Sequence, residues 1–143
     1  MAITQAMCSS FKTELLTGTH NFTNSSGNTF KLALYTSSAT INAATTAYTS
    51  SNVVSSTNYT AKGGALTNVT PSNGSGTVAF TSFSTLTFTN VTLTARGALI
   101  HNSSQSDKAV CALDFGGDKT ATAGNFTITF PTNDASTAVI RIV

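Results

Sequence analysis

The stretch from Leu86 to Phe115, LTFTNVTLTARGALIHNSSQSDKAVCALDF, does most to limit what this chain can fold into. Two runs rich in β-branched and apolar residues stand on either side of the polar loop Asn102-Ser-Ser-Gln-Ser-Asp107, the pattern of a long β-hairpin. Gly97 to Ile100 and Ala109 to Leu113 are apolar at consecutive rather than alternate positions. Strands written this way are covered on both faces, so the hairpin is expected at the centre of the fold with the rest of the chain packed on it.

Further strands are expected on both sides of it. FKLALYT puts Phe30, Leu32 and Leu34 on one face of a strand, with Lys31, Ala33 and Tyr35 on the other. Gly63-Gly64 bends the chain into an expected strand over Ala65–Thr70, ended by Pro71 and the turn Asn73-Gly-Ser-Gly76, and Thr77–Phe80 follows as a short strand. Leu86 and Phe88 sit at even positions but Val91, Leu93 and Ala95 at odd ones. A strand of period two changes phase only by gaining a residue, which predicts a bulge or tight turn near Asn90. Gly116-Gly117 opens an expected loop that runs through Gly124, after which Phe126, Ile128 and Phe130 alternate with threonines. The closing Ala138–Val143 is apolar enough to be a paired strand.

Near the N-terminus Ile3, Met7, Phe11 and Leu15 recur every four residues, which predicts an amphipathic helix over residues 4–17, with Thr4 as N-cap and Gly18 just past its end. Its apolar stripe either lies on the sheet or docks on another subunit. Residues 37–60 are mostly Ser, Thr, Ala and Asn, with Ile41, Tyr48, Val53, Val54 and Tyr59 as anchors. A long surface excursion with one short strand around Ala47-Tyr48 is expected there, and connections of this length are commonly functional. The elements add up to an all-β chain, a single antiparallel β-sandwich or flattened barrel over residues 1–143 with one N-terminal helix. Leu99, Val110, Leu113, Phe126, Ile128 and Ile140 are its expected core.

The available chemistry is narrow. Only 8% of residues are charged, against about 25% in an ordinary domain, so neutral hydroxyls and amides must cover the surface. The net charge of +2 comes from scattered lysines and arginines, whereas nucleic-acid binding calls for a clustered basic face. No segment approaches the length of an apolar membrane span, and MAITQAMCSSFK has neither the basic nor the apolar region of an export signal. Synthesis in a cytoplasm without export is therefore expected, with no nucleic-acid or membrane partner. Cys8 and Cys111 are expected as buried free thiols. Asn-x-Ser/Thr triplets at Asn21, Asn58, Asn68 and Asn125 arise by chance in such a composition.

His20, His101 and the carboxylates Glu14, Asp107, Asp114, Asp118 and Asp134 are the whole acid–base inventory. Neither histidine has a metal-ligand spacing and no serine occupies a nucleophile elbow, so both histidines are expected at the surface or at strand ends. Asp114 and Asp118 in the loop Asp114-Phe-Gly-Gly-Asp118 are candidates for a calcium ion. The competing reading pairs Asp114 with Arg96 on the opposite strand. Two of Asp107, Asp114, Asp118 and Asp134 facing each other across a groove would make a glycan hydrolase. No nucleophile, base and orienting group occur in a known spacing, so a non-enzymatic protein without catalytic residues or cofactor is expected.

The segments MAITQAMCSSFKTELLTGTHNF, FKLALYTSSAT, TLTARGALIHNSSQSDKAV, LDFGGDKTATAGNFTITFP and AVIRIV resemble a set of small, mostly uncharacterised proteins encoded in the structural-gene regions of tailed bacteriophages. The resemblance covers nearly the whole chain and carries no catalytic motif. It implies a virion component, whether a capsid decoration (cement) protein, a tail component or a fibre-associated piece; decoration, bound in many copies to the major capsid protein or to other virion proteins and self-associating, is expected ahead of a tail-associated role. Weak single contacts repeated over a shell add up to firm attachment. A carbohydrate-binding module at a tail tip is the alternative, with Tyr35, Tyr48 and Tyr59 as its stacking aromatics.

Overall fold

A computed structural model describes residues 2–143. Its elements in chain order are β1 (Ala6–Met7), α1 (Ser9–Leu16), β2 (Phe30–Tyr35), β3 (Gly64–Ala65), β4 (Ala79–Thr81), β5 (Leu86–Asn102), β6 (Lys108–Ile128) and β7 (Ile140–Ile142). Five strands form an antiparallel sheet in the order β1-β6-β5-β2-β3, and β4 pairs with β7 in a separate two-stranded sheet. The chain is thus antiparallel β with one short helix.

The expected hairpin is β5 and β6, joined by the loop that follows Asn102. Its inner half is buried on both faces, as the consecutive apolar residues require: Gly97 to Asn102 and Ala109 to Ala112 are all buried. Gly97 has a steric reason to lack a side chain, because a Cβ there would stand 2.4 Å from the Leu113 carbonyl oxygen and 2.9 Å from Ile3. β2 lies alongside β5 in continuous register from Phe30↔Asn102 to Tyr35↔Gly97, and five of its six residues are buried. It has two apolar faces where alternation predicted one.

The hairpin is longer than the sequence pattern indicated. The loop expected from Gly116 through Gly124 belongs to β6, whose 21 residues pair with β5 along its length. Irregularity at the glycines takes the form of bulges. Between Ala95↔Lys119 and Gly97↔Asp114, Arg96 alone faces Phe115, Gly116, Gly117 and Asp118, and Gly116 has φ +79°. Of the bulge or tight turn expected near Asn90 the structure has the bulge, with Asn90 at φ +52° and the register shifting between Phe88 and Val91. A second shift on β6, where Ala123 has φ +47°, returns the ladder to phase at Leu93. Each bulge adds twist, so the long arm coils and does not stay flat.

The helix is shorter than the stripe of apolar residues suggested. It begins at Ser9 and not at residue 4, with Cys8 as an N-cap that makes no side-chain capping bond. Ile3 and Met7 leave the helical pattern because tertiary pairing claims them, Ile3 bridging Ile41 and Met7 pairing with Cys111. Phe11 is the helix residue that enters the core, and Leu16 faces outward. The end was legible: Gly18 at φ +75° donates to Leu15 O while Thr19 donates to Glu14 O, the paired bonds that close a helix on a left-handed glycine.

Residues 37–60 are not merely a surface excursion. Ala39, Ile41 and Val54 are buried in the core, Val53 bridges Tyr35, and Ala47 bridges Lys108 where a short strand was expected. The strand expected over Ala65–Thr70 is reduced to Gly64–Ala65 plus a bridge from Asn68 to Phe83, and the next one lies at Ala79–Thr81 in place of Thr77–Phe80. The core brings Phe22, Phe30 and Phe83 together, the first two rings stacked at 4.3 Å. Of the six expected core residues, Leu99, Val110, Phe126, Ile128 and Ile140 are buried. Leu113 is only partly buried at the edge of the cluster, since the wide bulge begins just beyond its neighbour Asp114.

Candidate functional site

The loop that closes the central hairpin collects most of the acid–base groups, and β5 delivers His101 and Asn102 into it side by side. Successive strand residues point to opposite faces, so the two side chains enter different polar clusters.

Asn102 is fully buried. Its amide nitrogen donates to His20 Nδ1 and to Asn28 Oδ1, both at 2.9 Å, and its oxygen accepts the Ser104 N–H. His20 Nε2 then meets Glu14 Oε1 at 2.9 Å. The donors and acceptors agree with one another only if His20 carries its proton on Nε2, so the network fixes a neutral tautomer. Sequence expectation placed His20 at the surface, yet it is buried and packs among Phe11, Phe22 and Phe30. Its hydrogen bond to Asn102, 82 residues away, ties it into the interior, and no local pattern revealed that.

His101 is also fully buried, although it does end a strand. Its Nδ1 stands 3.1 Å from Asp107 Oδ1 and its Nε2 3.0 Å from the Lys62 carbonyl oxygen. The second carboxylate oxygen of Asp107 takes the Lys62 ammonium, and Tyr48 stacks on the imidazole with its ring centroid 5.1 Å away. Burial pushes the imidazole below its ordinary pKa; the acceptors at its two nitrogens pull the other way without reversing it. Partial burial works to raise Asp107, and Lys62 with His101 outweighs it, so the carboxyl sits below the usual range. A histidine oriented by an aspartate has the form of a catalytic base, but Nε2 is spent on a backbone carbonyl and the ring is closed to solvent. Chemically the cluster can tie residues 48–64 to the hairpin loop, an attachment completed by the Tyr48 N–H donating to the Asp107 carbonyl.

The remaining carboxylates are engaged locally. Asp114 takes the Gly116 N–H and the Arg96 guanidinium at 3.1 Å, which hold its pKa down, as the cross-strand pairing expected. Asp118, its proposed calcium partner, is exposed on the bulge. Asp134 caps the turn at Ser136 and Thr137, whose N–H groups lower its pKa. Among the described residues no group of three or more His, Cys, Asp or Glu is placed to hold a metal ion. Cys8 and Cys111 are free and buried as expected, their thiols pushed up to about 11 and about 12 by burial. Tyr35 is fully buried and donates to Thr49 O, while the Tyr59 hydroxyl accepts the Leu34 N–H and its ring packs on Phe88.

An apolar cavity lies elsewhere. A cavity of about 400 Å³ opens between the end of α1 and the small sheet, walled by Leu15, Phe22, Pro71, Phe80, Ile140 and Ile142 with His20 at its inner side. The exposed large hydrophobic residues among those described are Leu16, Ile142 and Val143. Ile142 lines the cavity, and the other two directly follow lining residues in the chain. Beside it β7 offers an open edge. Phe80 exchanges both main-chain bonds with Ser72, at 2.8 and 3.0 Å, so its pairing with Arg141 is of the non-bonded kind and the Arg141 N–H and C=O turn away from β4. Sequence reasoning missed this site; its one signal was the run of apolar residues at Ala138–Val143.

No protein-family model, curated protein or solved structure matches the chain.

Proposed function

We propose that this protein is a non-enzymatic structural component of a tailed-bacteriophage virion, a capsid decoration protein that binds the shell in many copies. The observation that carries the reading is the apolar cavity, with the exposed Ile142 in its wall, next to the open β7 edge. Apolar side chains concentrated at one place on an otherwise neutral polar surface mark a contact with another protein, and an open strand edge can accept main-chain bonds from it. The acid–base groups support the same reading, since His20 and His101 are consumed by internal bonds. The resemblance noted in the sequence supplies the virion setting. We read the five-stranded sheet and the β4–β7 pair as the two layers of a small sandwich, with Phe83 joining Phe22 and Phe30 between them.

A tail-tip carbohydrate module gains less support, because Tyr35 is buried and Tyr48 and Tyr59 are packed on His101 and Phe88. Counting this chain against the major capsid protein in purified particles tests the proposal. Copy numbers on the scale of the shell protein are expected; a handful of copies would move the protein to the tail, and its absence from particles would overturn both readings.

A further inference from the structure

We propose that Asn73 is a site of self-modification, at which the backbone nitrogen of Gly74 converts the asparagine amide to a carboxylate. Asn73 is the asparagine of this chain that a glycine follows. Ring closure between a side-chain amide and the next peptide nitrogen needs that nitrogen uncrowded, and glycine, having no Cβ, crowds it least. The structure adds exposure and room. Residues 71–77 are all exposed, and nothing lies within 4 Å of the place a Cβ on Gly74 would occupy.

The turn is hydrogen-bonded within itself, on the surface. Gly76 N–H donates to Asn73 O at 2.9 Å, the Asn73 amide nitrogen donates to Gly76 O at 3.3 Å, and Gly74 N–H donates to the Ser72 hydroxyl at 2.9 Å. In the reaction Gly74 N gives its proton to a solvent base and bonds to Asn73 Cγ; the Cγ–Nδ2 bond breaks and the nitrogen leaves as ammonia. Water then opens the five-membered ring at either carbonyl, giving aspartate or the β-linked isomer, with no change of oxidation state. Asn102, which a serine follows, is excluded from the same chemistry because it is fully buried.

The consequence reaches the contact surface. The new charge takes the chain from +2 toward +1, and the β-linked product lengthens the main chain by one carbon next to Ser72, whose N–H and C=O both bond Phe80. Pro71 and Phe80 are walls of the apolar cavity.

Incubating the folded protein in mildly alkaline buffer, with and without urea, followed by digestion and mass spectrometry, tests the inference independently of any virion role. The Asn73 peptide is expected to gain the small mass of NH2 replaced by OH, to split into two chromatographic isomers, and to do so before any other asparagine peptide, at similar rates with and without urea. Asn73→Gln should lose the conversion while keeping the melting temperature, since the turn is exposed; Gly74→Ala should slow it and also lower the melting temperature, because Gly74 has φ +56°. An Asn73 that remains an amide in the folded protein overturns the proposal whether or not it converts in urea, as does earlier conversion at another asparagine.

Discussion

Asn102 and His20, 82 residues apart in the chain, share a 2.9 Å hydrogen bond in the interior. The bond joins the tip of the central hairpin to the segment that leaves α1, and one amide group organises it. Removing that group strands His20. Asn102→Ala removes all three bonds and leaves the buried His20 Nδ1 without a partner, while Asn28 Oδ1 keeps the Asn21 N–H and the Ser104 N–H belongs to an exposed residue; a buried polar group left unpaired costs about 1–3 kcal/mol. A fall in melting temperature well beyond that of a surface substitution is expected in thermal denaturation. Asn102→Asp should fare badly as well, because a carboxylate cannot donate to His20.

The core ranks its residues by burial. Phe30→Ala removes a fully buried ring stacked on Phe22 and should cost about 3–5 kcal/mol. Leu113→Ala should cost less than the ~2–5 kcal/mol of a fully buried leucine, since Leu113 is only partly covered. Urea denaturation of the two variants checks the order. Equal losses would contradict the placement of the bulge beside Leu113.

Acid should weaken the fold. Burial lowers the His101 pKa in the folded chain, so the unfolded chain takes up that proton first, near the ordinary value of about 6.5. The stability tied to neutral His101 is then full above that value and declines as pH falls through it. Asp107, also lowered, adds stability that is present above the ordinary carboxylate range and is lost as pH falls through and below it. The groups facing His101 are Asp107, the Lys62 carbonyl and Tyr48, with Lys31 acting at longer range. Melting temperature measured from pH ~7.5 to ~5 should drop, and His101→Gln should flatten the upper part of that slope.

Leu16 and Val143 are 90% and 92% exposed, so replacing both with Gln should move stability by no more than about 0.5 kcal/mol each. The same double variant should lose its place on particles when they are reconstituted with purified protein. Wild-type occupancy by a stably folded double variant would remove Leu16 and Val143 from the proposed contact surface.

What could be read from the sequence depended on how local each cause was. The hairpin, the bulge at Asn90 and the Arg96–Asp114 pair all follow from residues adjacent in chain or across one strand pair. The helix start was misread because Ile3 and Met7 fit a four-residue period equally well when their partners are Ile41 and Cys111. Gly116-Gly117 resembles a loop because strand bulges and turns draw on the same glycines. The buried histidines and the apolar cavity were hidden for one reason: each is assembled from segments that meet only after folding.

The strand order β1-β6-β5-β2-β3 also sets a schedule for the newborn chain. β2 leaves the ribosome long before its neighbour β5, and β1 waits longer still for β6. The hairpin of β5 and β6 is the first large unit that can close on itself, because its strands are consecutive and short loops close cheaply. Until it does, the aromatic residues of β2 and the segment before it have no sheet to cover. The N-terminal half should therefore emerge unfolded and collect on the hairpin late, a period in which a crowded translation complex offers it many wrong partners.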